Sequence, residues 1–81
     1  MSIKVEEMIL LVAILGKYDF QLDGRRMTGR FANKETTIEF NNQGEGFVVT
    51  GTGDGASACL AHLKRCHAAG RDLPIAACTA A

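Results

Sequence analysis

Three residues in the C-terminal half have side chains that could bind a metal or attack a substrate: Cys59, His62 and Cys66, spaced Cys59-x-x-His62-x-x-x-Cys66. On a helix this spacing brings them round to one face. Thiolate and imidazole are preferred zinc ligands, and His67 or Cys78 would supply a fourth. Zinc sites usually draw ligands from two separate elements, often with a paired C-x-x-C knuckle, and no such pair is present. Free cysteines are among the most buried residues. The plainer expectation is therefore that Cys59 and Cys66 are small core residues with His62 at their edge, and that no metal or other cofactor is bound. The same placement argues against a Cys–His nucleophile, which needs an accessible, electropositive setting.

Other chemistry is thinner. Gly51-Thr52-Gly53-Asp54-Gly55-Ala56 has the outline of a G-x-G-x-x-A dinucleotide loop. It lacks the parallel strand–helix–strand context, and Asp54 would repel a phosphate at the helix start. It reads as a strand-to-helix turn. Asp19, Asp23, Glu35 and Glu39 fall on turns and on one strand face without a histidine nearby, so no acid–base pair is formed and no catalytic residue is assigned. The one basic concentration is Arg25, Arg26, Arg30 and Lys34, with Lys17 not far off. Its plainer role is to keep a hairpin solvated and a sheet edge from aggregating. Its functional role would be to meet acidic protein surface or phosphate.

Composition narrows the classes. The chain has 81 residues, 47% of them hydrophobic and 22% charged, which suits one small globular core. Nine basic residues balance nine acidic ones, whereas nucleic-acid binders usually carry a basic surplus. Nucleic acid is therefore a disfavoured partner. Three cysteines, an odd count, do not make a disulfide framework and point to reduced thiols in a cytoplasm. The apolar run Met8–Leu15 is far short of the roughly 20 residues that span a bilayer. Glu6 and Glu7 stand where a secretory leader would carry basic residues, so neither membrane nor export is expected.

The elements that must position these residues follow from periodicity. Lys4–Leu15 reads as a helix, with Ser2 as N-cap, Glu6 and Glu7 at its positive end and Gly16 as its stop. Its continuous apolar run leaves a buried strand as the alternative. From Tyr18 to Thr50 apolar and polar residues alternate in four runs, broken at Asp23-Gly24, around Asn33 and at Asn41–Gly44. One face collects Tyr18, Phe20, Leu22, Met27, Phe31, Ile38, Phe40, Phe47 and Val49. The other carries Gln21, Thr28, Arg30, Thr37, Glu39 and Thr50. Asp54 then reads as the N-cap of an Ala-rich helix over Ala56–Ala69, which Gly70 ends. The expected fold is α+β: an N-terminal helix, a three- to four-stranded antiparallel sheet and a C-terminal helix packed on one sheet face. Residues 1–74 make one domain and 75–81 a short tail. Phe20, Phe31, Ile38, Phe40 and Leu63 are the expected core.

Tyr18 near the sheet start, Phe40, Phe47 and the stretch Gly51-Thr52-Gly53-Asp54-Gly55-Ala56-Ser57-Ala58 give an order that resembles double-stranded-RNA-binding domains. That family grips phosphate with a lysine cluster at the start of its last helix. Here the helix opens Ala56-Ser57-Ala58-Cys59, with no lysine before Lys64. The hairpin turns at Asp23-Gly24 and Asn42–Gly44, followed by the Ala-rich helix, are also similar to small phage-encoded inhibitors of the anti-CRISPR type, which share no motif. That resemblance implies a non-enzymatic protein that blocks a bacterial immune complex by stoichiometric binding in the host cytoplasm. The expected contacts are Arg25, Arg26, Arg30 and Lys34 on a protein partner. The alternatives are a nucleic-acid-binding module using the same hairpin, and a Cys/His metal protein. Met8–Leu15 is a candidate surface for a homodimer.

Overall fold

The computed structural model describes residues 1–74. The tail Ile75–Ala81, with Cys78, lies outside the described residues. The elements run β1 (Ser2–Lys4), α1 (Val5–Gly16), β2 (Gln21–Asp23), β3 (Arg26–Phe31), β4 (Lys34–Gln43), β5 (Gly46–Thr52) and α2 (Ala56–Ala69). All strand pairings are antiparallel, in the order β1-β5-β4-β3-β2, so the fold is α+β as expected, with five strands.

The strand the alternation missed is β1. Ser2 does not cap a helix; it sits opposite Val48, and Ile3 opposite Phe47, on the free edge of β5. The Val49 amide donates to the Met1 carbonyl at 2.7 Å, which extends this ladder. Burial of Ile3 holds the short strand in place. Helix α1 begins only at Val5, where the Glu7 carboxylate accepts the Lys4 amide at 2.7 Å and satisfies one free donor of the helix start. That hydrogen bond is the main reason the Glu7 carboxyl lies below its ordinary range. The apolar run Met8–Leu15 is thus helical.

Strands β2 to β5 are joined by two-residue hairpin loops, Gly24-Arg25, Ala32-Asn33 and Gly44-Glu45. Ala32 and Asn33 both take positive φ, 54° and 62°, the combination that matches the right-handed twist of the flanking strands. Both helices lie on one side of the sheet. α2 packs over β3, β4 and β5, while α1 packs over β5, β1 and α2. Between the layers lie Leu11, Ile14 and Leu15 of α1, Cys59, Leu63 and Cys66 of α2, and Ile3, Phe20, Met27, Phe31, Ile38, Phe40 and Val49 from the sheet side. The five expected core residues are all buried. Gly29 makes room for Phe20, because a Cβ there would lie 2.8 Å from the Phe20 ring.

Two further local expectations are corrected. Leu22 shares the inner face with its partner Met27, but it is 57% exposed because no helix reaches over β2 at the sheet edge. Asp54 does not cap α2. The cap position is Gly55, whose amide donates to the Glu35 carbonyl at 3.1 Å and whose carbonyl accepts from Cys59. A side chain at Gly55 would collide with the Thr36 hydroxyl, so the start of α2 is pressed against β4. Helix α1 is apolar nearly all round and only its inner side is covered: Ile9 is 71% and Val5 53% exposed.

Phe40 sits at the middle of the layer interface. Phe40→Ala is expected to cost about 3–5 kcal/mol in denaturant unfolding. A loss under about 1 kcal/mol would mean that the ring is not buried in solution.

Candidate functional site

With both helices on one side, no other element among the described residues covers the opposite sheet face. Side chains alternate along each strand, so the register places Asp23, Arg26, Glu39 and Thr50 in one row across four strands, and Gln21, Thr28, Thr37 and Thr52 in the next. Arg30 stands opposite Glu35 on the same face. Arg26 Nη2 lies 3.7 Å from Glu39 Oε2, and Asn41 Nδ2 donates to Thr50 Oγ1 at 3.2 Å. The Arg26–Glu39 pair is half in solvent, so it orients two side chains more than it stabilises the fold.

At the β2–β3 turn the uncovered face opens into a cleft of about 540 Å³, lined by Asp23, Arg25, Arg26, Glu39, Phe40, Asn41 and Asn42. The Phe40 amide donates to the Arg25 carbonyl at 2.8 Å, which ties the turn to β4. The cleft offers two guanidinium groups, two carboxylates and two amides. That set suits a ligand surface with both charges and planar polar groups.

The four basic residues singled out by sequence are therefore not one patch. Arg25 and Arg26 line the cleft. Arg30 is four residues further along β3, on the same face as Arg26. Lys34 pairs with Phe31 and shares a face with Thr36, so it belongs to the helix side of the sheet, at its exposed end. Two-residue alternation carries this distinction, because the β3–β4 turn brings Lys34 opposite an inward residue.

Cys59, His62 and Cys66 lie on the inner face of α2, with His62 as buried as its neighbours. Cys66 Sγ is 3.6 Å from His62 Nε2. The imidazole sits among rings, its centroid 5.6 Å from Phe31 and 5.9 Å from Tyr18. Burial pushes the His62 pKa below the ordinary 6.5, against the pull of Asp72. Burial alone pushes the Cys59 thiol from an ordinary 9.0 up to about 12. Both thiols are closed to substrate, which disposes of the nucleophile reading for this pair. The sequence reading missed Asp72, which the turn after α2 brings to His62 and Cys66. Gly70 at the helix end, in the left-handed region at φ 69°, is the signal that the chain reverses there. Asp72 also binds Lys17 Nζ at 2.5 Å, a hydrogen bond that raises the lysine pKa.

Comparison with family models, curated proteins and solved structures finds no significant match for this chain. Among the described residues no helix is long and apolar enough to cross a membrane.

These shifts set a pH window for stability. His62 titrates lower when folded, so its contribution is present above about pH 6.5 and is lost as pH falls below it. Cys59 titrates higher when folded, so its contribution is present below pH 9.0 and is lost as pH rises towards 12. Denaturant midpoints are expected to be highest between these limits, with a shallower alkaline fall in Cys59→Ala. An alkaline limb unchanged in that variant would contradict the burial of the thiol.

Proposed function

We propose that this chain works by binding another macromolecule rather than by turnover, and that it binds through the uncovered sheet face and the cleft beside Arg25 and Arg26. One observation carries the reading: five strands present an open polar face on which Arg26 and Arg30 alternate with Glu35 and Glu39, ending in a cleft with two arginines. Arginine is favoured in interface hot spots because its planar fork pairs with carboxylates while its stem packs. A face of alternating charge suits a protein surface better than a uniformly anionic backbone. The resemblance to small phage-encoded inhibitors supports a specific version, in which the partner is a bacterial immune complex blocked by stoichiometric binding in the host cytoplasm.

The test is capture from a bacterial lysate, followed by affinity measurement on the captured protein. Replacing Arg25, Arg26 and Arg30 together by alanine is expected to weaken binding by about thirtyfold or more, with circular dichroism unchanged. Affinity within about threefold of the parent would remove this face from the account. Capture of RNA or DNA instead, with binding that falls steeply as salt rises, would move the reading to nucleic acid.

A further inference from the structure

The end of α2 holds a second constellation, independent of the sheet face. His62 and Cys66 are four residues apart and stack one turn above the other. Beyond Gly70 the chain folds back: the Arg71 amide bonds the Cys66 carbonyl at 3.2 Å and the Leu73 amide reaches Cys66 Sγ at 3.4 Å. Asp72 lies between these two anchors. Its carboxylate, a ring nitrogen of His62 and the sulfur of Cys66 all fall within 4.8 Å of one another. Cys59 is not part of this group. It precedes Cys66 by seven residues, about 10 Å along the helix axis.

Three observations point to a ligand among these atoms. Asp72 Oδ1 is shut off from solvent and has no hydrogen-bond partner among the described residues, while Oδ2 takes Lys17. A buried carboxylate oxygen left in that state is costly. The Leu73 amide points at a sulfur, and a neutral thiol is a weak acceptor whereas a charged group accepts an N–H strongly. Third, zinc–sulfur and zinc–nitrogen bonds of about 2.3 and 2.05 Å meeting at a tetrahedral angle separate the two donors by about 3.5 Å. The observed separation of 3.6 Å suits that geometry, and a small shift of the Asp72 side chain closes the set, whose donors lie within 4.8 Å of one another.

We infer that His62, Cys66 and Asp72 form a zinc site, with one nitrogen, one sulfur and one oxygen donor. The thiolate and the carboxylate bring two negative charges to the ion, the carboxylate's being shared with Lys17. The fourth corner is left to a solvent molecule entering past Asp72, the most exposed of the three. The ion's role is structural: it clasps the segment after Gly70 to α2 and, through Asp72, to Lys17 just past the end of α1. This site differs from the Cys59–His62–Cys66 set that spacing alone suggests, because the third donor comes from a separate element.

The experiment is titration of the 81-residue chain, stripped by a chelator, with cobalt(II) and then zinc(II). The expected result is one equivalent of cobalt bound, with a thiolate-to-cobalt charge-transfer absorption that zinc abolishes. Asp72→Ala, at a partly exposed position, is expected to lower the affinity about tenfold or more with an unchanged circular dichroism spectrum. Cys66→Ala is expected to remove the charge-transfer absorption. Absence of that absorption in the parent chain would overturn the site and leave a plain thiol–imidazole hydrogen bond. So would an affinity that Asp72→Ala does not change, and this variant decides the matter if Cys66→Ala fails to fold.

Discussion

One-sided burial governs this molecule. Two helices of twelve and fourteen residues cover one face of a five-stranded sheet, and nothing else in the described chain is available to cover the other. Every apolar residue of the central strands that is to leave water must therefore face the helices. Ile38 and Phe40 on β4, Met27 and Phe31 on β3 and Val49 on β5 all do so. The period of two then forces the intervening residues outward, where Thr, Glu, Asn and Arg are compatible with water. The uncovered face is thus a direct consequence of where the core is, and its side chains are freed from packing.

The same constraint explains the edges. Both outer strands are only three residues long. Short edge strands give a neighbouring chain little backbone to pair with. β1 is further committed by Ile3, which is buried under α1, while β2 lies beyond the reach of either helix and leaves Leu22 in solvent. The apolar excess of α1 has the same origin: a helix at the end of the sheet is covered on its inner side by β1, β5 and α2, and its outer side retains Val5 and Ile9.

Much of this was legible in the sequence. Alternation and turn residues marked the hairpins, the two faces and four of the five core residues, and helical spacing marked Leu63, because periodicity and loop chemistry are local properties. What was not legible depended on distant contacts. Ser2–Lys4 is too short to show a period and carries residues that also suit a helix start; only pairing with β5 makes it a strand. Asp54 has the chemistry of a cap, but the close approach of Gly55 to Thr36 sets the helix start one residue later. Lys34 is only four residues from Arg30 in sequence but lies on the opposite face, since the two-residue turn pairs Lys34 with the inward-facing Phe31 and Arg30 with Glu35. Nothing in the sequence around Asp72 signals its approach to His62 and Cys66. It joins His62 and Cys66 only because a left-handed glycine folds the chain back.

One sheet face is dry and the other is open to water, a division that solvent access measured residue by residue reads out. In a soluble paramagnetic probe experiment by NMR, the methyl groups of Thr28, Thr37 and Thr50 are predicted to be strongly relaxed, while those of Met27, Ile38 and Val49 are spared. Equal protection of both sets would mean that the outer face is covered in solution and is not available to a partner.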